Sequence, residues 1–220
     1  VFFMLKNHWI ISAVIYLIFF FWYTNTSGPL SPAEIDLVID RIDKGESTIS
    51  KEDRSNFLEF LRNDDGGDFY MVNFLDLNEN PPIMEKTGES ATATDLLDYY
   101  MEYMYPELLL RASHPVFAGN VSADAIDHLG AEETKKWDRT AIMRYRSIRD
   151  MLEIGSNEIF SERHEYKINA LIKTIAIPVS APVFFDFRVI IFLLLLTLTL
   201  VVDKLRFRKK TPIFMRFMKN

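Results

Sequence analysis

The sequence predicts an α+β protein, with a central domain of element order βαββαβ between two apolar helices. Three observations predict this architecture. Apolar runs occupy residues 9–23 and 183–202 of the 220-residue chain. Between residues 68 and 182, segments with an apolar period of two alternate with segments of helical period. A linker rich in Ser, Thr, Pro and Gly and two short amphipathic patterns join the first run to this region.

The first apolar run predicts a retained membrane anchor at residues 1–24. A helix rises about 1.5 Å per residue, so residues 9–23 cross ~30 Å of hydrocarbon only if the residues before them extend the helix. A cleaved signal peptide is the alternative. The run ends in Trp22 and Tyr23 rather than in the small residues typical of a cleavage site, which favours the anchor.

The second apolar run predicts a transmembrane helix at residues 183–203. Its two charged residues, Asp186 and Arg188, lie in the first turns, where side chains reach the headgroup region. A buried core helix is the alternative, but the run is unusually uniform in Leu and Ile for one. We therefore expect this segment to span the bilayer.

Charge predicts the orientation. The tail at residues 204–220 is strongly basic, whereas residues 24–182 hold 29 acidic residues against 16 Lys and Arg. Basic flanks stay in the cytoplasm. We expect a two-pass inner-membrane protein with both termini cytoplasmic and the central domain periplasmic. The cations expected to meet anionic lipid are Lys204, Arg206, Arg208, Lys209 and Lys210. The alternative is a plain stop-transfer flank.

Composition excludes several classes of function. An acidic central region lacks the clustered cations that bind phosphate backbones, so no nucleic-acid partner is expected. The chain has no cysteine, which excludes disulfides, thiolate catalysis and Cys-ligated metals. The four histidines lack metal-ligand spacing, and there is no phosphate loop or dinucleotide fingerprint. We expect neither a metal nor a cofactor.

Residues 25–67 are expected to form a linker and a helical collar. Ser31, followed by Pro and then by Glu34, is typical of a capped helix start. This helix is expected to end near Asp43. A second helix is predicted at residues 51–62, before a turn rich in Asn, Asp and Gly.

The domain at residues 68–182 follows in order. The strand FYMVNFLDL precedes a helix at residues 94–111, and HPVFAGNV and DRTAIMRY are the second and third strands. A helix at residues 147–171, with a possible break at Gly155, leads to the closing strand KTIAIPV. The order βαββαβ is the ferredoxin-like arrangement, an antiparallel sheet with two helices on one face.

Both faces of the first strand are largely apolar. Tyr70, Val72 and Phe74 alternate with Met71, Asn73 and Leu75. Helices cover one face only, so the second face needs a cover. Pairing with a second copy would supply it, and we expect a possible homodimer.

Three segments resemble the dimeric α+β barrel superfamily. They are FYMVNFLDL, DLLDYYMEYMYPELLLRASHPVFAGNV and WDRTAIMRYRSIRDMLEIGSNEIF, and they are most similar to a branch of unknown function. The resemblance covers about residues 50–180. It implies the fold and a dimer but no activity, although related branches include antibiotic-biosynthesis monooxygenases and haem-degrading enzymes. The chain differs from its branch at Arg146, where Pro is common.

Three residues are candidate ligand-binding groups. If the even-numbered positions of the first strand face the helices, Asn73 lies in the dimer cleft beside Arg144, and His114 begins the second strand. An Arg beside an Asn in an apolar lumen suits a carboxylate or carbonyl ligand. The alternatives are that Arg144 pairs with an acid such as Asp76 or Asp138, and that His114 only ends a turn.

Two functions follow from this reading. The first is a membrane-anchored, non-enzymatic accessory subunit whose domain dimerises or docks on a larger complex, with lipids and other membrane subunits as partners. The second is a small-molecule-binding protein or oxygenase-like enzyme that uses the barrel lumen. The absence of a catalytic constellation in the sequence favours the first.

Overall fold

The computed structural model describes residues 7–45, 49–50, 52–180 and 186–210. The chain divides into two compact units. One unit holds the helices α1 (Asn7–Tyr23) and α7 (Phe187–Lys210), from opposite ends of the sequence. The other, Thr24–Ala181, holds the remaining elements.

Helices α1 and α7 pack side by side in opposite directions. Near one end, Asp203 accepts hydrogen bonds from the Trp9 indole at 2.8 Å and contacts His8 at 2.7 Å. Further along, the hydroxyls of Ser12 and Thr199 are 2.7 Å apart. Polar pairs therefore fix the register of two otherwise apolar helices.

The predicted membrane spans at residues 1–24 and 183–203 are wrong. Within the described ranges, none of the helices combines the length and the apolar character that crossing a bilayer requires. Helix α1 has 17 residues, about 26 Å of rise. In α7, charged residues confine the uncharged stretch to residues 189–202, about 21 Å, against ~30 Å of hydrocarbon. Residues 1–6 and 181–185 lie outside the described part.

The predicted two-pass inner-membrane location is wrong as well, because it was derived from the spans. The lipid contact predicted for the basic residues from Lys204 to Lys210 loses its basis in the same way. One of these cations, Arg206, lies 3.3 Å from His8 on α1 through its Nη1. The tail at residues 211–220 is outside the described part.

The collar consists of α2 (Pro32–Asp43) and α3 (Arg54–Arg62). The Ser31 hydroxyl accepts the backbone N–H of Glu34, and the Glu34 carboxylate accepts the backbone N–H of Ser31. This capping box confirms the predicted helix start. Helix α3 begins at Arg54, three positions later than predicted. Both helices pack apolar side chains against the core of the domain.

The domain contains the four predicted strands. They are β1 (Phe69–Leu77), β2 (His114–Asn120), β3 (Arg139–Tyr145) and β4 (Leu171–Ser180). They form one antiparallel sheet of order β2-β3-β1-β4. Helix α4 (Ala93–Leu110) joins β1 to β2, and α5 (Ile148–Gly155) and α6 (Glu158–Asn169) join β3 to β4. The predicted α+β class and the ferredoxin-like order are confirmed.

The predicted break at Gly155 is confirmed. Helix α5 ends there, and Asn157 caps α6 by accepting the backbone N–H of Ile159. The Tyr103 hydroxyl on α4 donates to the carbonyl of Ile154, 3.1 Å away. The break thus leaves a carbonyl available for a contact with the neighbouring helix.

The helices cover one face of the sheet. On β1, Phe69 and Met71 belong to one apolar cluster and Leu75 and Leu77 to another. Odd-numbered positions of β1 therefore face the helices. This is the reverse of the orientation assumed from the sequence, which had placed the even-numbered positions there.

Candidate functional site

The face of the sheet opposite the helices is the candidate site, and we call it the open face. Its members follow from the pairing register, since residues directly opposite each other in a ladder share a face. They are Tyr70, Val72, Phe74, Asp76, His114, Phe117, Thr140, Ile142, Arg144, Lys173, Ile175, Ile177 and Val179.

The centre of the open face is apolar. Val72 pairs with Ile142 on one side and Ile177 on the other. Among the apolar members, Phe117 is 53% exposed and Ile177 is 46% exposed. Exposed large apolar side chains that adjoin each other on a sheet mark an interaction surface more often than isolated ones do.

Arg144 lies at one end of this face and is 1% exposed. Its Nε donates to Asp68 Oδ2 at 2.9 Å, and its Nη1 donates to the carbonyl of Ala112 at 2.7 Å. Ala112 has φ of +51°, a conformation that costs a non-glycine residue free energy. The guanidinium therefore joins β3, the start of β1 and the turn between α4 and β2.

His114 and Tyr70 flank Arg144, because both are its direct partners in the sheet register. Burial, together with the charge of Arg144, lowers the pKa of His114. Its Nδ1 lies 3.1 Å from the carbonyl of Pro115. The neutral imidazole is thus favoured beside the guanidinium, and this end of the face carries little charge beyond the ion pair.

Asn73 is on the opposite face from Arg144. It pairs with Ala141 in the register, three positions along β3 from Arg144. Its amide donates to the carbonyls of Met71 and Ala141, at 3.0 and 3.3 Å. The structure brings His114 close to Arg144 but does not bring Asn73 to either of them.

Asp76 and Lys173 lie at the other end of the open face. The Lys173 ammonium is 3.7 Å from Asp76 Oδ2, donates to the carbonyl of Glu133 at 2.5 Å, and lies 4.7 Å from the centre of the Trp137 ring. Asp76 Oδ1 is buried without a hydrogen-bond partner in the described chain. Both ends of the face therefore hold a cation and an acid together.

Comparison with known proteins identifies the fold and goes no further. No family model matches the chain, and no curated protein matches it. A crystal structure of the methylated RPA0582 protein is 19% identical with a TM-score of 0.50, over 63% of this chain and 96% of that one. A second structure of RPA0582, a protein of unknown function from Rhodopseudomonas palustris, is 19% identical with a TM-score of 0.48, over 61% and 95% of the two chains. At 19% identity, the likeness to the first of these structures supports the α+β fold alone.

A third solved structure is a dimeric protein of unknown function and ferredoxin-like fold from Bacteroides fragilis. It is 7% identical, with a TM-score of 0.31, over 52% of this chain and 97% of that one. Among the residues described here, no group of His, Asp and Glu side chains is arranged to hold a metal ion.

Sequence reasoning missed the acid that pairs with Arg144. The two acids named from the sequence have other roles, since Asp76 lies beside Lys173 and Asp138 accepts the backbone N–H of Leu77 at 2.7 Å. The partner is Asp68, one residue before β1. The period of two would have placed Asp68 on the same face as Tyr70, which is the register partner of Arg144.

Proposed function

We propose that this chain is a non-enzymatic accessory subunit whose sheet domain associates through its open face with a second copy of itself. The apolar, exposed centre of that face is the observation that carries the proposal. Burying such a surface against a partner removes apolar area from water, and this stabilises the complex by about 25 cal/mol for each Å² buried. The resemblance of three sequence segments to dimeric α+β barrel proteins supports the same arrangement.

A second copy suits this face because it is compatible with itself. In a two-fold dimer the same patch contacts itself, so an uncompensated charge in it would be buried against the apolar centre or against another group of the same patch. Here Arg144 is paired with Asp68, and Lys173 lies beside Asp76. The apolar centre flanked by paired charges matches the usual interface of apolar core and polar rim.

The unit formed by α1 and α7 supports the accessory role. Both helices expose large apolar side chains: Ile10, Ile11, Ile15, Ile18 and Phe21 on α1, and Val189, Leu193, Leu194, Leu198 and Phe207 on α7. A subunit that docks on a larger assembly would bury such surfaces there. We infer that this unit contacts other subunits.

The lumen-ligand alternative required Asn73 and Arg144 in one cavity. The register puts them on opposite faces, and Arg144 already has two partners, at 2.9 and 2.7 Å. The guanidinium N–H groups that donate to Asp68 and to the carbonyl of Ala112 are not available to a carboxylate ligand. The two residues therefore do not form the ligand site that this alternative requires.

The mass of the purified chain in solution tests the proposal, measured by light scattering and sedimentation. We expect a dimer whose dissociation constant rises at least about tenfold in Ile177→Glu, because a buried carboxylate without a partner costs more than 1.4 kcal/mol. Ile177 lies in the centre of the open face, paired with Val72.

Ile168→Glu is the matched control. Ile168 lies on α6 and is 51% exposed, close to the 46% of Ile177, but it is not on the open face. We expect this variant to remain as dimeric as the wild type. A monomeric wild-type chain, or equal weakening by both substitutions, would contradict association through the open face.

A further inference from the structure

The loop between β2 and β3, residues 121–138, displays two apolar side chains to solvent. Ile126 is 99% exposed and Leu129 is 97% exposed, whereas the next large apolar side chain among the described residues, Phe207, is 76% exposed. A single exposed apolar residue is ordinary on a protein surface. Two that are almost completely exposed and only three positions apart make almost no contact within the chain, and such a pair marks an interaction surface.

The β2–β3 loop holds a defined conformation around these two residues. Its two arms run side by side, since the backbone N–H of Val121 donates to the carbonyl of Asp138 at 2.8 Å and that of Ala125 donates to the carbonyl of Lys135 at 2.9 Å. A short 3₁₀ helix at Glu132–Thr134 follows the tip. A loop of this length usually carries a function when it is ordered. Ile126 and Leu129 are therefore presented on a fixed support.

The second arm of the β2–β3 loop lies on the open face. The centre of the Trp137 ring is 5.8 Å from that of the Phe74 ring and 4.7 Å from the Lys173 ammonium. The same ammonium donates to the carbonyl of Glu133. Phe74 and Lys173 both belong to the open face. A second copy that covers this face therefore lies next to the loop.

We propose that the β2–β3 loop is a dimerisation arm that packs Ile126 and Leu129 against the open face of the second copy. This inference rests on the dimer proposed above and names a further contact within it. Phe117, Ile177 and Val179 of the open face are each about half exposed and offer the arm an apolar surface. In a two-fold dimer each copy supplies one arm and receives the other, so the contact occurs twice. Removal of these side chains from water stabilises the dimer.

Alkylation of a single introduced thiol tests the arm on the full chain. The sequence contains no cysteine, so Ile126→Cys and Leu129→Cys each create the one thiol that iodoacetamide can modify. Both side chains are exposed, so neither substitution disturbs the fold. We expect modification, followed by mass spectrometry of the intact protein, to slow several-fold when the protein concentration rises from well below to well above the dissociation constant of each variant.

Ile168→Cys is the matched control, because Ile168 is exposed on α6 and lies outside the open face. Its modification rate should not change with protein concentration. In the Ile177→Glu background, which weakens the dimer, Ile126→Cys should lose its protection over the same concentrations. The double variant Ile126→Ser with Leu129→Ser should raise the dissociation constant of the dimer several-fold, as measured by sedimentation.

Four outcomes overturn the inference. If the chain dimerises but both loop thiols react at the same rate at all concentrations, the arm is wrong and the open-face dimer stands. Equal slowing of Ile168→Cys would show that the protection is not specific to the loop. Protection of Ile126→Cys that persists in the Ile177→Glu background would place the loop in a different interface. A chain that is monomeric at every concentration would overturn both the arm and the open-face dimer.

Discussion

Arg144 and Asp68 form a buried ion pair between residues 76 positions apart in the sequence. The Nε to Oδ2 distance is 2.9 Å, and the side chains are 1% and 14% exposed. Arg144 also donates to the carbonyl of Ala112. The pair therefore fixes one end of the open face, where the start of β1, the end of β3 and the turn after α4 meet.

Asp68→Ala is expected to lower the free energy of unfolding by about 3 kcal/mol. The reason is that Arg144 would remain buried with its charge no longer balanced by this acid, a situation that costs about 3–5 kcal/mol. Because Asp68 is slightly exposed, the lower end of that range applies. Urea unfolding followed by circular dichroism measures the change.

Asp40→Ala is the control for this loss. It removes an ion pair with Lys44 in which both side chains are 57% exposed, and it should cost about 0.5 kcal/mol or less. The double variant Asp68→Ala with Arg144→Met should recover part of the stability, since it removes the buried charge as well. Equal effects of Asp68→Ala and Asp40→Ala would show that the buried pair has no special role.

Gly66 brings the linker and the turn before β1 into close contact. Its φ is +79°, and a Cβ there would lie 2.5 Å from the carbonyl carbon of Gly28 and 2.6 Å from the nitrogen of Pro29. Both are backbone atoms, which cannot move aside as a flexible side chain would. We expect Gly66→Ala to cost about 3 kcal/mol, from left-handed backbone strain and the clash together. Thermal unfolding monitors it.

Gly88 provides the comparison for that cost. Its φ is +83°, but a Cβ would meet no atom within 4 Å. Gly88→Ala should therefore cost only the backbone term, about 1–2 kcal/mol. If the two variants lose the same stability, the close approach of Gly66 to the linker contributes nothing.

The sequence predicted the fold more accurately than the site because the two depend on different information. Strand and helix positions follow from local apolar periodicity, and the caps at Ser31 and the break at Gly155 are visible as short patterns. Which face of β1 meets the helices is a different matter. Both faces of that strand are apolar, so its period of two gives no sign of which side the helices cover, and Asn73 was placed on the wrong one.

The membrane spans were mispredicted for a related reason. The second apolar run has the composition of a span, but the uncharged stretch of α7 between Arg188 and Asp203 covers only residues 189–202. Composition also does not show what the polar groups of a helix contact. The contacts of Asp203 with His8 and Trp9 join two segments 194 or more positions apart, and no local sequence pattern predicts them. The same holds for Arg144 and Asp68, which only the β1–β3 register brings together.

The lowered pKa of His164 predicts that the protein loses stability in mild acid. Its pKa is about 4 in the folded protein, lowered by burial, against 6.5 for an ordinary histidine. The unfolded chain takes up a proton as the pH falls below 6.5, but the folded protein does not until about pH 4, so stability falls across that window. Discounted for partial exposure, the loss is about 1–2 kcal/mol.

His164→Phe should flatten this dependence because Phe stacks on Phe160 but does not titrate. His128→Asn is the control. His128 contacts Glu132 and lies outside the aromatic group around Phe160. Urea unfolding at pH 4.5 and pH 7 provides the two free energies. An unchanged difference in His164→Phe would contradict the assignment.

The lowered pKa of Glu34 predicts a second loss of stability, at lower pH. Its carboxylate accepts a hydrogen bond from Arg149 Nε at 2.7 Å and from the backbone N–H of Ser31 at 2.7 Å. These contacts, with Arg149 contributing most, lower the pKa of Glu34 to about 2. The unfolded chain binds a proton near pH 4.5 and the folded protein near pH 2. The stabilisation is therefore complete above about pH 4.5 and is lost as the pH falls toward 2.

Glu34→Gln should remove this acid sensitivity while keeping α2 largely helical. The side chain is 39% exposed, so solvent screening limits the effect to about 1 kcal/mol or less. Asp36→Asn, on the same helix but without an ion pair in the described chain, is the matched control and should retain the wild-type slope of stability between pH 4.5 and pH 2.5. Arg149 lies in the first turn of α5 and Glu34 in the first turn of α2. A flattened slope in Glu34→Gln alone would therefore show that this ion pair stabilises the contact of the collar with the sheet domain.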